Sequence, residues 1–247
     1  MGLFKKKDCD ICGEQIKFFA RKVEDGNICK ACAAKLSPWF SERRKSTLAD
    51  IRAQLDYRQE NEQAVSQFHV TRTIGDNYKV LLDEDARKFL VTNQRKWQEG
   101  NPDVLDFSMV TGVTLNTDEH EHELMRKGAD GKEVSYNPPM YEYSYDFEVT
   151  IHVNHPYFDE MSFQINSSAV DAGKQSIGRG NAANPEIRMY QDMADEIKEA
   201  LLNARQEARD EKIAANAPKQ AVNCPSCGAT TVPDANGCCE YCGSALG

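Results

Sequence analysis

Eight of the nine cysteines are spaced as metal ligands: Cys9 and Cys12, Cys29 and Cys32, Cys224 and Cys227, and Cys239 and Cys242 each form a Cys-x2-Cys pair. A two-residue gap lets both thiolates of one turn reach a tetrahedral ion at about 2.3 Å, and the loop between pairs brings the second turn round. Sixteen residues separate Cys12 from Cys29, and eleven separate Cys227 from Cys239. The spacing predicts two closed sites, one held by Cys9, Cys12, Cys29 and Cys32, the other by Cys224, Cys227, Cys239 and Cys242. Four thiolates leave no coordination position open, so the predicted chemistry is structural rather than catalytic. Zn2+, two per chain, is the expected metal; iron, which rubredoxin-type knuckles also hold, is the alternative. Gly13 fits a turn that enters positive φ, and Gly228 and Gly243 let backbone N–H groups fold back towards sulfur. The ninth cysteine, Cys238, is read as a neighbour of the second site, because beside a cluster of thiolates it gains no further cation to lower its pKa.

Other residues of chemical interest are sparser. His120 and His122 alternate with Glu119, Glu121 and Glu123, so on a strand the imidazoles would share one face and the carboxylates the other. That pattern is open to a surface metal, but a solvated acidic edge or loop, which also deters edge-to-edge aggregation, is the expectation. Gly173-Lys174 and Gly178-Arg179-Gly180 lack the further glycines and the Ser or Thr of phosphate-binding loops. The stretch 167–184, rich in Gly, Ser, Asn and Ala, is expected to be a loop.

A net charge of −9 over 247 residues, with 30 Lys and Arg against 39 Asp and Glu, argues against a nucleic-acid-binding body, which needs clustered cations for phosphate neutralisation. No window approaches the roughly 20 apolar residues of a membrane span, and the basic start MGLFKKK lacks the apolar core of a signal peptide. Nine cysteines without an export signal point to thiols kept reduced in the cytoplasm.

Elements must position the cysteines. From Tyr141 to Val153 every odd residue is aromatic or β-branched and every even one polar or charged, which predicts a long antiparallel strand with one wet face. Met161, Phe163 and Ile165 supply its hairpin partner. Shorter runs at Phe68–Ile74, Tyr78–Leu82, Lys88–Thr92 and Phe107–Leu115 predict a meander that curls into a barrel. Asn184 and Pro185 open an amphipathic helix to about Lys212 that closes it. Before the meander, Leu48, Ile51, Leu55 and Val65 mark a helix whose apolar stripe is broken by Arg58 and Glu62; a solvated connector is expected, with self-pairing as the alternative.

The expected organisation is thus an N-terminal metal module over 1–40, a connecting helix over 41–67, a β domain with closing helix over 68–213, a linker over 214–223 and a C-terminal ribbon over 224–247. A curled meander followed by one amphipathic helix resembles the pleckstrin-homology-like superfold. The cysteine motifs, with Asp25-Gly26-Asn27-Ile28 and the run Asp50 to Arg58, resemble a bacterial family in which a short zinc-ribbon-like domain of unknown function precedes a helix and a β domain. The C-terminal knuckles look like the zinc ribbons that end many bacterial proteins. These resemblances imply an α+β chain: an antiparallel pleckstrin-homology-like barrel closed by a helix and flanked by two zinc ribbons. The functional expectation is a non-enzymatic scaffold or adaptor that docks a protein or a membrane-associated partner. A thiol-based redox or metal sensor acting through the C-terminal ribbon is the alternative, and a hydrolase around His120, His122 or His152 the third reading.

Overall fold

The N-terminal cysteine turns enclose little apolar surface of their own, and short elements following in close succession enlarge it. The computed structural model describes residues 7–17, 19–175, 184–216, 221–234 and 237–246, and the chain divides into two compact units, Met1–Gln206 and Glu207–Gly247. In the first unit, β1 (Arg21–Lys22) and β2 (Asn27–Ile28) pair antiparallel, and α1 (Lys30–Ala34) follows. Cys9, Cys29, Cys32, Val23, Ile28 and Leu36 form a small apolar cluster, which Ile51 of α2 (Leu48–Gln67) completes. A capping box starts α2: Asp50 N donates to Thr47 Oγ1 at 3.2 Å, and Thr47 N donates to Asp50 Oδ2 at 2.8 Å.

Helix α2 is not the solvated connector that its broken apolar stripe suggests. Its buried face runs Ile51, Gln54, Arg58, Asn61, Val65 at helical spacing, and the middle three are polar. The reason is Asp103, which is fully buried and accepts from Arg58 Nη1 at 2.7 Å, from the Tyr57 hydroxyl at 3.0 Å and from Ser37 Oγ at 2.8 Å. Arg58 also donates to the carbonyls of Lys35 and Asn101, while Asn61 bonds the Pro102 carbonyl and the Val104 N–H. The helix therefore joins the cysteine module to the β region through a buried polar network, closed around Asp103 but leaving Gln54 Nε2 without a partner, which a search for apolar periodicity passes over.

Strands β3 (Arg72–Ile74), β4 (Lys79–Asp83), β5 (Lys88–Thr92) and β6 (Leu105–Asp106) form one antiparallel sheet in that order. The strand expected from Phe68 shrinks to Arg72–Ile74, because Phe68 closes α2 and the Asp83 carboxylate takes the His69 N–H at 2.8 Å. Val80, Leu82, Phe89 and Val91 enter the main core, whereas Leu81 and Leu90 pack with Phe68 and Trp97 in a separate cluster. Both faces of β4 and β5 are covered.

The second sheet is built on β7 (Val110–Lys127) and β8 (Glu133–Val153), with β9 (Glu160–Gln164) and β10 (Val170–Gln175) also pairing with β8. Tyr143, Tyr145, Phe147, Val149, Ile151 and Val153 of β8 are buried, as the alternation requires. β10 falls in the stretch expected to be a loop: it takes up Tyr141–Tyr145 of β8, while β9 pairs with Glu148–His152. Between the two, buried Asn166 stands in for a strand, its Oδ1 accepting the Phe147 N–H at 2.8 Å. Gly178-Arg179-Gly180 lies outside the described residues.

Asn184 Oδ1 accepts from Glu186 N at 2.8 Å and so caps α3 (Pro185–Asn216). Ile187, Tyr190, Ala194, Ile197 and Leu201 of this helix share one core with both sheets, and the Tyr190 ring stacks on Phe147 with centroids 5.5 Å apart. The first unit is thus mixed α+β, with two antiparallel ladders and one long helix around a common core. In the second unit β11 (Val222–Asn223) pairs with β12 (Thr230–Thr231). Of the expected linker, residues up to Asn216 are helical and Val222–Asn223 is strand, while 217–220 lie outside the described residues. No helix among the described residues is long and apolar enough to cross a membrane.

Candidate metal centres

Three of the four cysteine pairs adopt one turn. The N–H of Gly13, Gly228 and Gly243 donates to the carbonyl of the first cysteine of its pair at 2.8 Å, and these glycines have φ of 73°, 72° and 70°. At such φ a side chain is disfavoured, which explains why glycine follows each of these pairs. The fourth pair differs: Cys29 is the N-cap of α1 and Cys32 lies in its first turn, with Cys32 N donating to Cys29 Sγ at 3.3 Å. A turn, a hairpin and a helix therefore carry the first set. Cys29 N also donates to Cys9 Sγ at 3.2 Å, so the backbone orients the sulfurs across the site.

The eight expected ligands gather into two groups of four, Cys9, Cys12, Cys29, Cys32 and Cys224, Cys227, Cys239, Cys242, each with its sulfurs within 4.8 Å of one another. Cys9 to Cys32 and Cys12 to Cys29 are 3.8 Å apart; Cys224 to Cys242 is 3.5 Å and Cys227 to Cys239 is 3.8 Å. A tetrahedron with metal–sulfur bonds of about 2.3 Å has edges of about 3.8 Å. Both groups fit one four-coordinate ion, and both are compatible with zinc.

Crowding four sulfurs splits their proton affinities. Burial raises the Cys9 thiol, but N–H groups of Cys12, Cys29 and Ile11 outweigh it and bring the pKa to about 6. Burial and the neighbouring sulfurs push Cys32 well above the ordinary thiol range. In the second group, the Ser244 hydroxyl and N–H lower Cys242 to about 6. The Ala229 N–H pulls Cys227 down, but the sulfurs of Cys242, Cys224 and Cys239 together with desolvation push it up to about 12. Without a cation the four thiols cannot all ionise; a divalent ion supplies the charge that lets them.

Cys238 stands apart from the sulfur group, its N–H bonding Asp234 Oδ1 at 2.8 Å. His120 and His122 lie on β7, where His120 Nε2 is 2.9 Å from Asp146 Oδ2. On the opposite face Glu119 and Glu121 accept from the hydroxyls of Tyr145 and Tyr143 at 2.7 and 2.9 Å. His152 is opposite Gly112 and His120 opposite Ser144, so a run of β8 of roughly 26 Å separates these histidines at the usual strand rise. They do not converge, and among the described residues only the cysteine groups are arranged to hold a metal. Sequence reasoning missed the Asp103 network behind the first centre, since a lone aspartate in Asn101-Pro102-Asp103 carries no periodic signal.

Residues 7–54 match the family model described as a domain of unknown function, DUF4428, a span that takes in the first cysteine set and the start of α2. No curated protein and no solved structure matches the chain. The N-terminal segment is therefore similar to that domain, and its four cysteines are brought together in one sulfur group.

Proposed function

We propose that this protein is a non-enzymatic, zinc-stapled adaptor of the cytoplasm that docks a protein or a membrane-associated partner. The observation that carries this reading is the completeness of both sulfur groups: four thiolates at tetrahedral spacing saturate an ion and leave it no position for substrate. The Asp103 network supports it, because it ties the first module to the β region within their unit. Two antiparallel ladders followed by a core-facing helix support a pleckstrin-homology-like identity for the β region, a fold suited to presenting a binding surface. Affinity capture from native cytosol tests the adaptor role, with zinc-loaded protein compared with a Cys227→Ser variant. A partner retained by the first and lost by the second is expected; equal capture by both would remove the second centre from the function.

One observation favours a second reading, a thiol-based sensor: Cys12, Cys227 and Cys242 are exposed although they belong to the sulfur groups. Peroxide could oxidise two such thiolates to a disulfide, being itself reduced to water, with release of the ion. Zinc release by mild peroxide with parallel loss of the captured partner selects the sensor. Zinc retained under the same treatment selects the adaptor.

A further inference from the structure

The first module departs from the acidity of the chain. Between Lys17 and Lys45 eight Lys and Arg face three Asp and Glu, against a net charge of −9 overall. Four of these cations, Arg21, Lys22, Arg43 and Arg44, line one cleft of about 690 Å³, brought together from β1 and the 3-10 turn Glu42–Lys45. The segment from this turn to the start of α2 is pinned to the hairpin at three points. Arg43 Nη1 donates to the Lys22 carbonyl at 2.8 Å, Glu24 N donates to the Ser46 carbonyl at 2.9 Å, and Leu48 N donates to Asp25 Oδ1 at 2.7 Å.

Nearby carboxylates leave the cations unneutralised. Glu42 is engaged by Lys45 at 2.7 Å, and among the described residues no ion pair forms to Arg21, Lys22, Arg43 or Arg44, although exposed Glu24 also lines the cleft. Burial lowers the Arg43 pKa, and the like charges of Arg21 and Arg44 lower it further. Four like charges lining one cleft against a single carboxylate favour an anion; guanidinium forks bind carboxylate and phosphoryl oxygens bidentately, and the phosphoryl group brings the larger charge to offset four cations.

From this geometry we infer that the cleft formed by Arg21, Lys22, Arg43 and Arg44 binds a phosphoryl group, free or carried on a lipid headgroup. Both sources present the same oxygens to the same guanidinium groups. The lipid source is included because Phe19, 86% exposed, adjoins Arg21 beside the cleft, the arrangement of an apolar side chain flanked by cations at a membrane interface. The site is independent of which partner the adaptor docks, but it rests on a hairpin held by the first metal centre.

The test uses full-length, zinc-loaded protein at physiological ionic strength. Inorganic pyrophosphate is titrated calorimetrically in one arm; in the other, the protein is sedimented with phosphatidylcholine vesicles containing phosphatidate, against phosphatidylcholine alone. Binding is expected in at least one arm: pyrophosphate alone identifies a soluble phosphoryl ligand, phosphatidate vesicles alone a headgroup, and both a site that accepts either. Arg21→Glu and Arg44→Glu should each weaken it at least about tenfold, while Arg95→Glu, a charge reversal away from the cleft, leaves it unchanged. Arg44→Gln, which removes charge without reversing it, serves if a reversal disturbs folding. No binding in either arm, or equal binding by the Arg21→Glu and Arg44→Glu variants, overturns the inference. Zinc is measured on the same samples: full metal content with no anion binding rejects the cleft and leaves the adaptor reading standing.

Discussion

At Asp103 one carboxylate without solvent contact gathers donors from two parts of the first unit: Ser37 beyond α1, and Tyr57 and Arg58 on α2. Removing a partner from such a pair leaves a buried charge uncompensated. Arg58→Ala should therefore destabilise the unit by about 3–5 kcal/mol in urea denaturation, whereas an exposed pair such as Arg72 with Glu196 should contribute at most about 1 kcal/mol. A loss below about 1 kcal/mol for Arg58→Ala would mean that the network is not closed. His155 lies against the same region, with ring centroids 5.0 Å from Tyr57 and 4.1 Å from Phe158. Burial lowers its pKa below the ordinary value of 6.5, the Asp103 charge opposing. The folded protein thus holds this proton less tightly than the unfolded chain. The contribution is full above pH 6.5 and is lost as pH falls through the lowered value. Melting temperatures from pH 7.5 down to 5 should fall less steeply in His155→Phe than in the parent, and parallel curves would assign the pH dependence to other groups.

Elements differ in how plainly the chain announces them, and the difference is physical. The inner face of β8 was legible because each odd residue from Tyr143 to Val153 is buried and each even one is at least partly solvated. Phe147, fully buried and stacked on Tyr190, sits at its centre; Phe147→Ala should cost about 3–5 kcal/mol, and an unchanged melting temperature would show that the strand does not face the core. The capped start of α3 was legible for a similar reason, since Asn184 and Pro185 act within one turn. The partner of α2 was not, because its contacts are made by Arg58 and Asn61 to a loop some 40 residues away in sequence, and by Gln54 to the Ser37 N–H. Nor was β10, whose residues Val170 to Gln175 contain a glycine and a register shift at Asp171/Gly173. Its place is set by the open edge of β8 and by Asn166 at the junction. Asn166→Ala should orphan the buried Phe147 N–H and destabilise by about 1–3 kcal/mol, measured by the same denaturation. The cysteine pairs were the most legible of all, because ligand geometry dictates the two-residue gap and, in three of the four pairs, the glycine that follows.

For the molecule as a whole, an ion held in each sulfur group would set the energy scale. A structural zinc contributes about 10–16 kcal/mol of apparent folding energy in small modules, comparable with or larger than the roughly 5–15 kcal/mol that holds a typical domain together. The first sulfur group lies in the apolar cluster that Ile51 of α2 completes, and α2 in turn carries Arg58 to Asp103. Loss of this ion should therefore be felt beyond the cysteines, in the β region of the same unit. Purified protein is expected to hold two equivalents of zinc by elemental analysis, and Cys12→Ser to hold one. The variant should also melt at a lower temperature when followed through the aromatic signal of the Phe147 core. The raised thiols of Cys32 and Cys227 must lose their protons for all four sulfurs to bind, so metal uptake releases protons and affinity declines as pH falls. Competition with a chelator between pH 8 and 6 measures this directly. An affinity independent of pH would mean that the thiols are ionised before metal arrives, and two equivalents retained by Cys12→Ser would mean that the first group is not a four-sulfur site.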